Sequence, residues 1–240
     1  MGNIEASVLA RLKNKSKEQG IPLQQLLNLF CQEEFIRRLS GSNYKENLIL
    51  KGGFLLYSIS GFTTRPTVDA DYLLKNYSND IDAIEKLVRE VMSSPSKNDF
   101  VEFEKPEVLT YSLESTVAEK LDAIITLMEA TGRMKDFYDI YYLATTFDFE
   151  GRKLQEAIYE SLSNRGTPYE KDSVIVIARL AKDNQIQKRW NNFCKKILKY
   201  ELDFIDVVNI IINFTSPPYQ SIIEEDEFFK NWSYKDRKYI

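Results

Sequence analysis

Histidine is absent from the 240 residues. That excludes Ser-His-Asp and Cys-His nucleophile arrangements, imidazole metal ligation and the side chain most used as a general base. Cysteine is nearly absent, with only Cys31 and Cys194, far apart in the chain. A zinc site of Cys and His ligands is excluded with them, and the low count suits a reducing cytosol. Each cysteine sits among apolar or helix-forming neighbours and reads as a small buried hydrophobe. Long apolar runs are missing too. No stretch reaches the roughly 18 residues that a membrane span needs. The N-terminus lacks the continuous apolar core of a secretory signal, so the expected location is the cytoplasm and no membrane contact is expected. An excess of positive charge is also lacking: Lys and Arg total 32 against 36 Asp and Glu, giving a net charge of −4. The molecule as a whole does not attract polyanions, and any nucleic-acid contact must come from a local basic patch.

What is there is a chain with 43% apolar residues, enough to bury one compact domain or two small ones. The spacing predicts a helix over residues 4–19, stopped by Gly20, and a second opened by Pro22 and ended by Gly41. The pattern then changes. Leu48-Ile49-Leu50 is a short apolar strand running into Gly52-Gly53, followed by a short buried helix over 54–59. Residues 63–66 form a loop. Residues 67–74 alternate, with Val68, Ala70, Tyr72 and Leu74 on one face and Asp69 and Asp71 on the other, which predicts a half-buried strand. A helix over 79–92 presents Ile81, Ile84, Leu87, Val88 and Val91 on one side. Short extended pieces follow at 100–103 and 108–111. From Glu114 the chain reads as helical, with helices expected over 152–163, 170–181, 184–200 and 203–213. Pro217-Pro218 is expected to break the pattern before a loose or docked acidic-aromatic tail. The expected fold class is α+β: a small mixed sheet flanked by helices over residues 1–113, then a helical C-terminal half over 114–240.

Four features could carry chemistry. The strand–Gly-Gly–helix corner lets backbone approach a ligand closely, and the N–H groups at a helix start suit phosphate. Alone, such a corner is also what an ordinary turn into a packed helix looks like. Asp69-Ala70-Asp71 places two carboxylates on one side of a strand, where they repel and where Asp is disfavoured. Divalent metal is the natural use, because hard cations take carboxylate oxygens and Mg²⁺ keeps positions for substrate phosphates. The bland alternative is a solvent-facing edge. The third feature joins Glu119-Lys120-Leu121-Asp122-Ala123 to Arg133-Met134-Lys135-Asp136-Phe137-Tyr138-Asp139. Asp136 and Asp139 share a helical face, and Lys120 lies beside the apolar stripe of the preceding helix. Such a lysine could serve a triphosphate, or the whole could be an ion-pair network with Asp136 as a helix cap. The fourth is a basic helix with Lys188, Arg189, Lys195, Lys196 and Lys199 around Trp190 and Phe193. It is either a nucleic-acid surface or a solvated face with its aromatics in the core, and residue pattern alone favours the solvated face.

In this order the pieces resemble the AbiEii/AbiGii family of nucleotidyltransferase-like toxins, the toxin halves of toxin–antitoxin and phage-defence pairs. The matching stretches are LILKGGFLLYSISGFTTRPTVDADYLL and STVAEKLDAIITLMEATGRMKDFYDIYYLATTFDFEG. Lys-Gly-Gly, Arg-x-Thr-x-Asp-x-Asp, Glu-Lys-Leu-x-Ala and Arg-x-Lys-Asp-Phe-x-Asp in succession are hard to meet by chance. The resemblance implies a nucleotidyltransferase core joined to a helical half. It implies that Gly52 and Gly53, with Lys51, Arg65 and Thr67, cradle nucleotide phosphate, and that Asp69 and Asp71 bind Mg²⁺. Lys120 and Asp139 match residues that family members need for activity, and Arg133, Lys135 and Asp136 complete the nucleotide pocket. The implied reaction moves a nucleotide from an NTP to an acceptor, tRNA in the wider family, and the implied partner is an antitoxin. One departure stands out. Family members carry more strands between the Asp-x-Asp unit and the Glu-Lys helix, one of them bearing a further acid. Here only residues 95–115 fill that interval, with Glu102 or Glu104 as the acids on offer. A shortened core leaves a second reading open: a nucleotide-, RNA- or partner-binding module without turnover. Transfer onto a protein or small molecule is a third, since fold does not fix the acceptor.

Overall fold

The computed structural model describes residues 4–65, 67, 69–95 and 109–240. The chain divides into two compact units, Met1–Thr110 and Tyr111–Ile240.

The first unit begins with helices α1 (Ile4–Gln19) and α2 (Leu23–Ser40). Strand β1 (Leu48–Lys51) runs directly into α3 (Gly52–Ile59), and β2 (Asp71–Leu74) leads to α4 (Ile81–Ser93). β1 and β2 pair antiparallel, with Lys51 opposite Asp71 and Leu50 opposite Tyr72. On the other side of β1, the Leu50 N–H donates to the Leu109 carbonyl at 2.8 Å, and Leu50 bridges Thr110 in parallel. The sheet is therefore small and mixed. One of its faces feeds a core of Leu39, Leu48, Leu87 and Val91, onto which Phe35, Tyr44, Tyr72 and Leu74 pack. Each fully buried aliphatic side chain there contributes about 1.5–3 kcal/mol. Arg38 ties α2 to the end of α4 by donating to the exposed carbonyls of Met92 and Ser94. Such donors near a helix C-terminus satisfy groups that have no partner within the helix.

In the second unit, α5 (Leu113–Leu127), α6 (Met134–Thr146), α7 (Gly151–Arg165) and α10 (Phe204–Ile223) enclose the core. α5 packs on α6, and Val117, Leu121 and Ile124 of α5 and Phe137, Ile140 and Leu143 of α6 are all buried. The segments between α7 and α10 are α8 (Ser173–Val176), a 3₁₀ turn at Ile177–Lys182, α9 (Asn184–Phe193) and a π turn at Cys194–Leu198. Trp190 of α9 is fully buried and donates its indole N–H to the Leu202 carbonyl at 2.7 Å. β3 (Phe149–Glu150), β4 (Asn231–Ser233) and β5 (Lys238–Tyr239) form an antiparallel sheet that docks the C-terminal tail, with Trp232 buried and donating to the Ala144 carbonyl.

The structure departs from the sequence reading in four places. The strand expected over 67–74 starts only at Asp71, because its partner β1 ends at Lys51 and turns away into α3. Pro217-Pro218 does not break the last helix, which runs on to Ile223. Pro218 cannot donate to the Phe214 carbonyl, and the Tyr239 hydroxyl takes that place at 2.6 Å. Cys194 is buried as expected, but Cys31 is exposed on α2. On α4 only Leu87 and Val91 are buried, while Ile81, Ile84 and Val88 stay exposed. The extended piece at 100–103 and the acids Glu102 and Glu104 lie outside the described residues.

Candidate active site

The residues singled out from sequence fall into two groups, one in each unit. In the first unit, Lys51 ends β1 in extended conformation, and Gly52 follows with φ of +73°. Only glycine adopts that conformation without cost. Gly52 is also pressed from outside, since a Cβ there would overlap the carboxylate of Asp71. The register explains this contact, because Asp71 is the residue opposite Lys51. The Asp71 carboxylate therefore lies over the backbone at the first residue of α3. A Cβ on Gly53 would come within 3.0 Å of the Thr67 hydroxyl and 3.4 Å of the Arg65 guanidinium. Arg65 is buried, and the Thr67 hydroxyl donates to the Asp69 carbonyl at 3.3 Å. The loop leading to Arg65 is held by Ser60, whose hydroxyl accepts from the N–H groups of Thr63 and Thr64. Asp69 and Asp71 are both exposed. Lys51, Gly52, Gly53, Arg65, Thr67 and Asp71 thus converge on one corner, with Asp69 on the same loop.

The chemistry of this corner follows from its parts. The N–H groups of a helix start carry partial positive charge and point at an approaching anion. Two glycines let side chains and ligands approach the backbone closely, and Lys51 and Arg65 add full charge beside it. The donor set of Asp69 and Asp71 is all oxygen and exposed, which fits Mg²⁺, an ion commonly held by one or two carboxylates plus substrate phosphates. Among the described residues, no group of three acids is gathered at one place.

The second group is different in kind. Lys120, on α5, reaches two carboxylates at the start of α6: Asp139 at 2.8 Å and Asp136 at 3.2 Å. Asp136 is fully buried, Asp139 nearly so, and the Lys120 side chain is 11% exposed. Arg133, half exposed at the position before α6, lies against Asp136 Oδ2. That contact is an ion pair and not a hydrogen bond: it meets the distance for a pair, while Oδ2 accepts no aligned N–H. Asp136 does not cap α6 with its side chain. Lys135 points outward and is exposed. In this arrangement Lys120, Asp136 and Asp139 clamp α5 to α6, and Arg133 and Lys135 present positive charge to solvent.

Sequence reasoning gave no role to a second set on α5. Asp122 is buried and paired with Arg165 of α7 at 3.1 Å, and Glu119 accepts from the Tyr111 hydroxyl at 3.2 Å. Burial raises the Tyr111 pKa, and the neighbouring Glu119 adds to it. Arg165 lies 43 positions beyond Asp122 (165 minus 122), so no local spacing announces the pair. Tyr138, next to Asp139, is buried and shares a 3.2 Å hydroxyl contact with Tyr200. Its pKa is pushed up by burial and then by that contact. The basic helix keeps Trp190 in the core and its lysines outside.

A family model described as "Nucleotidyl transferase AbiEii toxin, Type IV TA system" matches residues 34–106 and 94–225. The two matched stretches overlap at residues 94–106. No curated protein and no solved structure matches the chain. No helix among the described residues is long and apolar enough to cross a membrane.

Proposed function

Because the chain belongs to the AbiEii family of nucleotidyl transferase toxins of type IV toxin–antitoxin systems, we propose that it moves a nucleotide from an NTP to an RNA hydroxyl, that of a tRNA end. The observation that carries this reading is the Asp71 carboxylate lying over Gly52 at the first residue of α3. A carboxylate held against a bare helix start has a use when a cation and a phosphate share that place. Gly52 and Gly53 bind phosphate through backbone, and Lys51, Arg65 and Thr67 orient it. Asp69 and Asp71 would hold Mg²⁺, which when bound neutralises phosphate charge and polarises the phosphorus. The acceptor hydroxyl forms a bond to the α-phosphorus, the bond to the β-phosphate oxygen breaks, and pyrophosphate leaves with the electron pair. The hydroxyl proton goes to solvent or to a carboxylate. Most of the acceleration comes from positioning and charge neutralisation.

In the second unit, Lys120, Asp136 and Asp139 act as positioning residues, since Lys120 and Arg133 between them hold both carboxylates. Lys135, exposed, and Arg133, beside Asp136, are basic groups that this unit offers to nucleotide phosphate. An antitoxin encoded nearby is the expected partner, and the cytoplasm the expected site of action. The test is incubation with each labelled NTP, Mg²⁺ and total tRNA. Label should enter tRNA, with none from Asp69→Ala or Asp71→Ala. Absence of label with all four NTPs contradicts the proposal. A binding module without turnover is favoured by one observation: Lys120, the lysine expected to serve a triphosphate, is engaged by two buried carboxylates. Nucleotide binding by calorimetry without pyrophosphate release would select that reading.

A further inference from the structure

Residues 184–200 carry five basic residues and no acidic one, in a chain whose net charge is −4. The fold sorts this segment into two sides. Ile186, Trp190, Cys194 and Leu198 form a buried stripe at intervals of four residues, through α9 and the π turn. Lys188, Asn192, Lys195, Lys196 and Lys199 are all exposed. The flanking acids Asp183 and Asp203 cap α9 and α10, and Glu201, exposed two residues after Lys199, is the nearest other acid in the sequence. The π turn carries Lys195 and Lys196, and the left-handed Lys199 closes it. An unpaired row of lysines costs stability by mutual repulsion, so a row without compensating acids points to an anion outside the chain.

Two contacts anchor this face. Arg189 donates to the Thr131 carbonyl at 2.7 Å, which ties α9 to the loop that starts α6 at Arg133. Tyr200, half exposed immediately after Lys199, touches the Tyr138 hydroxyl at 3.2 Å. An exposed aromatic ring at the end of a lysine row is the combination that holds single-stranded nucleic acid, with phosphates on the charges and a base on the ring. The row from Lys188 to Lys199 is roughly 16 Å long at helical rise, room for a short run of phosphates.

We propose that the lysine face of α9 and its π turn holds the phosphate backbone of an RNA, with Tyr200 as a stacking surface at one end. The proposal rests on the reading of the acceptor as RNA and adds where that RNA is gripped.

The test is a binding titration of the full chain with a labelled single-stranded RNA 20-mer and with total tRNA, without NTP, across a range of KCl concentrations. The variant is Lys188→Gln, Lys195→Gln, Lys196→Gln and Lys199→Gln together; Arg189 is left in place because it holds the Thr131 loop. The variant should bind about 100-fold more weakly at low salt. Its salt slope should fall by about 3, since each phosphate that a lysine neutralises on a single strand adds roughly 0.7 to the slope. Tyr200→Ala should weaken single-strand binding about tenfold, and Tyr200→Phe should not. Circular dichroism should show an unchanged fold. Unchanged affinity and slope in the quadruple variant overturn the proposal, as does a polyglutamate of matching charge bound as tightly as the RNA. The two readings fail separately. RNA held on this face with no nucleotide transfer removes the enzymatic reading alone. Transfer by the quadruple variant at an unaltered KM for tRNA removes this surface alone.

Discussion

Both units present pairs of aspartates, and the pairs live in opposite surroundings. Asp69 and Asp71 are exposed beside a glycine turn, while Asp136 and Asp139 are buried and share one lysine. The same side chain is available to a ligand in the first case and committed to the fold in the second. An exposed carboxylate is cheap to keep and free to bind. A buried one must be paired, and breaking the pair leaves an uncompensated charge. Loss of activity on substitution therefore means different things in the two units, and stability measurements can separate them.

Lys120→Met carries the largest expected effect on stability. It leaves two buried carboxylates facing each other and should cost about 3–5 kcal/mol, read by chemical denaturation. Neutralising the carboxylates as well, with Asp136→Asn and Asp139→Asn, should recover part of that loss. If Lys120→Met removes transfer and leaves stability intact, the cluster works as the corner does and the comparison breaks.

Gly52→Ala comes next. A side chain there meets both a left-handed backbone and the Asp71 carboxylate, and the strain should cost about 1–3 kcal/mol. NTP binding should fall with it. A wild-type melting curve with wild-type NTP affinity would show that Asp71 does not lie over this turn.

Tyr239→Phe calibrates the comparison with a neutral contact. It removes the donor that replaces the missing Pro218 N–H and should cost about 1 kcal/mol in thermal unfolding, the ordinary worth of one hydrogen bond. A loss as large as that of Lys120→Met would mean that burial, and not charge, sets the scale. Asp71→Asn should have the smallest effect on stability, within about 0.5 kcal/mol, while lowering transfer about 100-fold or more. A marked drop in melting temperature would place Asp71 with the buried pair.

These contrasts also show what a sequence can carry. Period and punctuation place α5, α6 and α7 and the turn from β1 into α3, because Gly52 and the apolar stripes are local signals, whereas the helices expected over 170–181 and 184–200 give way to a 3₁₀ turn at Ile177–Lys182 and a π turn at Cys194–Leu198. The Asp-x-Asp pair stands out in the sequence, since carboxylates in a segment that reads as extended are costly without a use. Burial of Asp136 and Asp139 was not legible. Their charge predicts surface, and only the packing of α5 on α6 encloses them. The pairing of Asp122 with Arg165 depends on α7 returning to α5, which no spacing records. The helix through Pro217-Pro218 rests on Tyr239, a residue of the tail that the sequence leaves either loose or docked. That β2 starts at Asp71 reflects where β1 turns away, a property of the partner strand.

The central claim is that the corner of the first unit binds nucleotide with metal through Asp69 and Asp71. Calorimetric titration of the full chain with each nonhydrolysable NTP, with and without MgCl₂, tests it most directly beside the Asp69→Ala, Asp71→Ala double variant. The wild-type chain should bind at least one NTP in a Mg²⁺-dependent way, and the variant, melting where the wild type does, should lose tenfold or more of that affinity. Equal affinity in both proteins, or binding indifferent to Mg²⁺, contradicts it.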